Sequence, residues 1–367
     1  MKVAIVGCGK IADAHVEEVR KIPNAEVIAV CDREPLMAEQ LSVRYKIPFA
    51  WGDFETMLRE SRPDVVHITT PPQSHLALTA QAVAAGCHVF LEKPVALDLA
   101  EAEAIVAVAE KAGRLLAVNY WPQFERQAID LDRLWKSGVL GDPVHLESFY
   151  GYNLAGEYGT AIKNDPQHWV RRMPGKLYQN VLDHVLNKIV PFLDTDYPGI
   201  QVESFSREPG SDLPDELRVM IRGIRVTAYA TFSSHARPVG HTLRVYGTRG
   251  TAHADWNART VVLEGKQSFP SALGRLFPTF ATAKAYLTQG MKNLGAFRRY
   301  RFGYFDGMRV LLEDFYRAIE QGGASPTPAH DILLVASLME EIFRQAAQVE
   351  VIRTGAEARE IREEVEA

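Results

Sequence analysis

The chain has 367 residues, 47% of them hydrophobic, and its 46 acidic and 41 basic side chains leave a net charge of −5. That length predicts two domains, each large enough to bury a core of its own. The composition excludes a disordered or low-complexity chain, and with no apolar run near ~18 residues it excludes a membrane-crossing helix.

The N-terminus, MKVAIVGCGK, begins a strand at once and has no signal-peptide layout, so a cytoplasmic protein is expected. Strands are predicted over Lys2–Val6, Glu26–Cys31, Val65–Thr69, His88–Leu91 and Leu115–Asn119, with helices over Ala12–Lys21, Pro35–Tyr45, Ser74–Ala85 and Leu99–Ala112. Fully apolar strands alternating with helices predict a doubly wound α/β Rossmann domain with a parallel sheet, over residues 1–121.

Near Tyr120–Pro122 the pattern changes. A helix over Gln123–Ser137 leads into strands with period-2 alternation: Pro143–Tyr150, Gln201–Ser206, Glu216–Ile221, Val226–Ser233, His241–Tyr246, Thr251–Trp256 and Thr260–Leu263. Helices near Ala272–Leu294, Tyr304–Gln321 and Ala329–Val349 close the chain. This predicts, for residues 122–367, an α+β domain with a large open, mainly antiparallel sheet. Cys8, Cys31 and Cys87 cannot form a disulfide framework, and with no CxxC pair no metal site is expected.

Gly7-Cys8-Gly9-Lys10-Ile11-Ala12 follows the first strand and opens the first helix, which is the context a GxGxxG/A dinucleotide motif requires. Gly7 allows the tight turn, Gly9 the close approach of a pyrophosphate, and Ala12 tight helix–strand packing. Asp32 ends the second strand 20 residues beyond Ala12, where an acid holds the ribose hydroxyls. Its charge favours NAD, while the adjacent Arg33 keeps NADP open.

The segment Gly86-Cys-His-Val-Phe-Leu-Glu92-Lys93-Pro94 resembles the G-x-H-V-x-x-E-K-P stretch of the glucose–fructose oxidoreductase/inositol dehydrogenase/MocA family. Thr70-Pro71-Pro72 with His75, a histidine at position 15, His168-Trp169-Val-Arg171 and Tyr246-Gly247-Thr248-Arg249-Gly250 match the family in the same order. The resemblance covers about residues 1–264. It implies an NAD(P)-binding domain, a second domain that holds substrate and builds a homo-oligomer (dimer or tetramer), and hydride transfer at a sugar, cyclitol or nucleotide-sugar hydroxyl. Lys93 is then catalytic, aimed by a cis Pro94. Cofactor contacts are expected from Gly7, Gly9, Lys10, Ile11, Ala12, Asp32, Arg33, Thr70, Pro71, His75, Glu92, Lys93 and Asn119.

Where the family carries D-x-G-x-H-x-x-D, this chain has Asn180-Val-Leu-Asp183-His184-Val-Leu-Asn187. Asn180, Asp183, His184 and Asn187 are spaced to share one helix stripe, either a solvated face or a strip facing a site. His184 is the natural general base, because an imidazole exchanges protons near neutrality. Besides Lys93, His184, Asn180 and Asp183, substrate contacts are expected among Tyr120, Trp121, Tyr152, His168, Arg171 and Tyr178. Asn180 and Asn187 replace the family's aspartates. That leaves two alternatives open: an NAD-dependent glycosidase using transient oxidation, and a cofactor-binding member without activity.

One stretch stands apart. Residues 266–305 hold seven cations (Lys266, Arg275, Lys284, Lys292, Arg298, Arg299, Arg301), nine aromatics and no acid, so the rest of the chain carries −5 − 7 = −12. Three roles compete: packing or an oligomer interface, which is favoured; grip on a nucleotide-sugar diphosphate by Arg298, Arg299 or Arg301; and contact with an anionic membrane surface. No nucleic-acid partner is expected.

Overall fold

The computed structural model of the protein describes residues 1–207, 213, 215–265, 273–298, 303–347 and 350–351. The chain forms two compact units: Met1–Arg133 with Tyr286–Ser337, and Leu134–Ala285 with the described residues from Leu338 onward.

In the first unit β1 (Lys2–Val6), β2 (Glu26–Cys31), β3 (Phe49–Trp51), β4 (Val65–Ile68), β5 (His88–Leu91) and β6 (Leu116–Val118) form one sheet of order β3-β2-β1-β4-β5-β6, parallel throughout. Helices α1 (Lys10–Val19), α2 (Pro35–Tyr45), α3 (Phe54–Ser61), α4 (His75–Ala84) and α5 (Leu99–Lys111) alternate with the strands. Val3, Ile5, Val65, Ile68, Val89 and Leu91 are buried, as strands covered on both faces must be. The strand order reverses between β1 and β4, and ligands of open α/β sheets bind in the crevice beyond the carboxyl ends at such a point. Neither β3 nor α3 is foreseen from the sequence. β3 has three residues at the sheet edge, with Phe49 and Ala50 exposed, too short a run for a period to register.

α6 (Arg126–Lys136) ends in the second unit, which contains β7 (Pro143–Gly151), α7 (Glu157–Asn164), α8 (Lys176–Val181), α9 (Asp183–Leu186), β8 (Gly199–Ser206), β9 (Glu216–Arg222), β10 (Thr227–Ser233), β11 (His241–Gly247), β12 (Gly250–Asp255) and β13 (Thr260–Gly265). After α10 (Leu273–Arg298), α11 (Asp306–Gln321) and α12 (Ala329–Gln345), a two-residue β14 (Glu350–Val351) joins the same sheet. Its order is β13-β12-β11-β7-β10-β9-β8-β14. The pairs β7–β10 and β8–β14 are parallel and the others antiparallel. Leu146, Val219, Ala228, Ala230, Phe232, Leu243 and Ala252 fill one face. The other is open, with a shallow cavity of about 680 Å³ bordered by Glu147, Gln201, Arg218, Tyr229 and Arg244.

The units are not consecutive in sequence, so a single cut after residue 121 does not describe them. α11 places Met308, Leu311, Leu312, Phe315 and Tyr316 in the core of the first unit, among Val3, Ile5, Val16, Val65 and Phe90. Their i, i+3, i+4, i+7, i+8 spacing is one helix stripe.

Candidate active site

The cofactor crevice starts at Gly7. Its φ of +97° is one that side-chain-bearing residues avoid, and a Cβ there would stand 2.7 Å from Thr70 Cγ2 and 2.8 Å from the Thr70 backbone nitrogen. Gly9 differs: a Cβ would meet nothing within 4 Å. Gly9 is also the N-cap of α1 and supplies no side-chain cap, so the first N–H groups of the helix face that open space. Such a cradle fits a pyrophosphate. Lys10 and Ile11 open the helix behind it, and Ala12 is fully buried against the sheet. Gly7→Ala is expected to cost about 2 kcal/mol of stability in urea unfolding. Gly9→Ala is expected to leave unfolding unchanged and to weaken NAD at least about tenfold in fluorescence titration.

Asp32 lies at the end of β2, where its Oδ2 accepts the Cys8 N–H at 2.7 Å and its Oδ1 the Glu34 N–H at 2.9 Å. It ties the glycine turn to β2, and its negative charge suits ribose hydroxyls rather than a phosphate. Arg33 is exposed. The Cys8 thiol is pushed up to about 12, first by burial and then by the Asp32 charge, and stays protonated.

Thr70 and Pro71 follow β4, and Ser74 Oγ donates to Thr70 Oγ1 at 2.7 Å. His75 does not reach the crevice surface. It is fully buried, with Nδ1 3.0 Å from the Val95 carbonyl and Nε2 2.9 Å from the Thr70 carbonyl. Burial holds its pKa below the ordinary imidazole value, and a neutral ring donates to only one of these two carbonyls at a time.

Glu92 is likewise internal. Its Oε1 accepts from His15 Nε2 at 2.8 Å and from Asn119 Nδ2 at 2.6 Å. His15 Nδ1 meets His67 Nδ1 at 2.9 Å, and His67 Nε2 meets the Tyr316 hydroxyl at 2.8 Å. Burial, then the His15 charge, holds His67 well below the ordinary value, and burial keeps the Tyr316 phenol protonated. Tyr316, His67, His15 and Glu92 thus form one continuous buried chain of hydrogen-bonding groups. Burial by itself would raise the Glu92 pKa. The hydrogen bond and charge of His15, the Asn119 amide and the charge of Lys93 outweigh it and hold the carboxyl below its ordinary value.

A depressed carboxyl stabilises the fold above its unfolded pKa and loses that contribution as pH falls through the folded pKa. Glu92→Gln is therefore expected to lower the urea midpoint at neutral pH, and the gap to wild type should close in acid. The sequence gives His15 and Glu92. It hides His67, an imidazole inside the apolar strand Val65-Val66-His67-Ile68, and Tyr316, which is 249 residues away.

Lys93 follows Glu92 at the carboxyl edge of β5. Its backbone N–H is 3.2 Å from Glu92 Oε2, and the Lys93–Pro94 peptide is cis. Asn119, at the end of β6, has a buried Oδ1 with no partner among the described residues. This orphan acceptor at the edge that carries Lys93 fits a cofactor amide. Tyr120 is buried. Trp121 is half-buried and packs at 5.5 Å on the exposed Tyr304 and 5.8 Å on Phe305, all within the first unit.

In the second unit the stripe of Asn180, Asp183, His184 and Asn187 is broken: α8 stops at Val181 and α9 starts at Asp183. It is no solvated face either, since Asn180, Asp183 and Asn187 are buried and only His184 is half-exposed. Asp183 Oδ1 accepts the backbone N–H of His184 at 2.8 Å and so fixes the turn. The His184 ring packs 5.2 Å from Tyr150, which lies 5.0 Å from His241, and His241 stacks on Trp256 at 5.1 Å. Lys188, one helical turn beyond His184, is buried over Trp256 and donates to the Thr242 carbonyl at 3.1 Å. Burial pulls the pKa of both Lys188 and His241 far down. This apolar, weakly charged wall around His184 is not foreseen from the sequence.

Tyr178, expected among the substrate contacts, is engaged inside the second unit. It is buried, with its hydroxyl 2.9 Å from Ser204 Oγ and donating to the Glu216 carbonyl at 2.6 Å. Arg171 donates to the Ile162 carbonyl at 3.3 Å, and His168 Nδ1 accepts the Val170 N–H at 3.3 Å. Tyr152 is half-buried, its N–H bonded to the Ser233 carbonyl at 3.0 Å. Of the basic aromatic stretch, Lys266, Phe269, Arg299, Tyr300, Arg301 and Phe302 lie outside the described residues.

Residues 1–120 match the family model described as "Oxidoreductase family, NAD-binding Rossmann fold". The chain is 34% identical over 143 residues to the D-glucoside 3-dehydrogenase of Escherichia coli, a match covering 39% of this chain and 41% of that protein. The chain thus spans about two-fifths of that relative's length. To the trans-1,2-dihydrobenzene-1,2-diol dehydrogenase of Danio rerio it is 26% identical over 95% of this chain and 98% of the other. The crystal structure of the WlbA dehydrogenase from Bordetella pertussis in complex with NADH and UDP-GlcNAcA has the same fold, with a TM-score of 0.74 at 15% identity over 95% of each chain. Residues 1–120 thus match the Gfo/Idh/MocA oxidoreductase family model, and the first unit has the NAD-binding Rossmann fold that the model describes.

Proposed function

We propose that the protein is an NAD-dependent dehydrogenase acting on a hydroxyl of a sugar, cyclitol or nucleotide sugar. The observation that carries this reading is Lys93, set at the carboxyl edge of β5 beside the buried, hydrogen-bonded Glu92, in the unit that also holds the open cradle at Gly9. The names of the Escherichia coli and Bordetella pertussis relatives support the substrate class. The Asp32 carboxylate supports NAD over NADP.

NAD held at the Gly9 cradle and by Asp32 would supply the hydride acceptor. The Lys93 ammonium holds the substrate oxygen and stabilises the alkoxide as its proton leaves. A ring nitrogen of His184 receives that proton, and the closely packed rings of Tyr150 and His241 keep water from the buried side of the imidazole. The substrate carbon ends as a carbonyl. In this reading the second unit binds the substrate and its open sheet face builds a homo-oligomer, dimer or tetramer. Among the described residues no helix is long and apolar enough to cross a membrane, and a cytoplasmic location belongs to the proposal.

The test is NADH formation from NAD across a panel of sugars, cyclitols and nucleotide sugars. Turnover with one class, lost in His184→Asn with NAD binding retained, is the expected result. Aglycone release without net NADH would replace the reading by a glycosidase, and tight NAD binding with no turnover on any substrate would overturn it.

A further inference from the structure

A 26-residue helix normally turns its large apolar residues inward. α10 does the reverse. Phe280, Leu287, Met291 and Leu294 recur at spacings of seven, four and three, which is one stripe, and they are 64%, 69%, 61% and 40% exposed. Among the described side chains of α10 the half-buried positions are Pro278, Thr282, Ala285, Gln289, Asn293, Gly295 and Ala296, small or polar residues that, Gly295 apart, lie on the opposite side. Lys284, Lys292 and Arg298 are exposed on the same helix, and residues 266–305 contain no acid.

Charge separates the possible occupants. A symmetric contact with a second copy would set one acid-free cationic stripe against another, and like charges brought together oppose association. An anionic lipid surface matches both features, taking the Leu, Met and Phe side chains into its headgroup–acyl boundary while the cations stay among the phosphates. Lysines on such a helix keep their ammonium at the interface by running the stem along the apolar face. We propose that α10 is a docking surface for anionic membrane, lying in the plane of the interface. It would hold the enzyme where a lipid-linked or membrane-delivered sugar is made or consumed. Only that last clause rests on the proposed function.

The test is flotation of the full-length protein with phosphatidylcholine vesicles, with and without phosphatidylglycerol. Binding is expected only with phosphatidylglycerol and is expected to fall as salt rises. The double variant Leu287→Asp, Met291→Asp changes exposed positions, and with an unchanged thermal transition it should reduce binding roughly a hundredfold. Lys292→Glu should weaken it roughly threefold to tenfold. No binding to anionic vesicles at low salt would overturn the proposal, as would binding that the double variant leaves intact. A dimer in sedimentation that the double variant makes monomeric, without vesicle binding, would assign the face to a second copy instead. Failure of the sugar panel with vesicle binding retained would sink the dehydrogenase reading alone.

Discussion

Lys93→Met is expected to retain NAD binding and lower kcat by about two to three orders of magnitude on any substrate the wild type turns over. The methionine keeps the length and apolar stem of the lysine, so β5 and its buried partner Glu92 stay folded. What is lost is the cation facing a developing alkoxide, an interaction stronger in the transition state than with the neutral hydroxyl. KM should therefore move less than kcat. Lys93→Arg should not rescue, because a planar guanidinium cannot occupy the point-charge position of an ammonium. Turnover within about tenfold of wild type in Lys93→Met would remove the lysine from the chemistry.

Phe315→Ala is expected to cost about 3–5 kcal/mol, a large share of the whole stability of a domain. The ring is fully buried on α11, 5.9 Å from Phe90 of β5 and 6.1 Å from Tyr316. Its loss opens a void beside the strand that ends at Lys93 and loosens the neighbour whose hydroxyl anchors His67. Urea unfolding should show a lower midpoint, and saturating NAD should recover part of the loss because the ligand binds only the folded unit. A cost under about 1 kcal/mol would mean that α11 does not belong to that core.

The Rossmann half is legible because its physics is local. Strands such as Val3–Val6 and Val65–Ile68 are apolar on both faces, and Gly7, Gly9 and Asp32 fall at offsets set by one turn and one strand. The resemblance picks out Lys93 and His184, and residue type alone gives them plausible chemistry. Four things escape. The apolar stripe of α11 announces a buried face but not which sheet it covers, because periodicity carries no address. Glu92 and His75 look like site groups in a motif, yet their partners sit on other strands and loops. Tyr178 looks like an available hydroxyl and is bound inside the second unit. The basic aromatic stretch is visible from composition, but only three-dimensional packing tells which side of α10 faces outward.

The first unit draws its core from both ends of the chain, with His67 bonded to Tyr316 across 249 positions. During synthesis the six-stranded sheet is complete in sequence by Val118, yet the helix that fills its core arrives nearly 200 residues later. Until then Ile5, Val16 and Phe90 have no Phe315 or Leu312 to pack on. The N-terminal sheet therefore waits, unfinished and sticky, while the ribosome makes the second sheet. The long loop that must close before these contacts form slows folding, and the nascent chain is most exposed to aggregation in that interval.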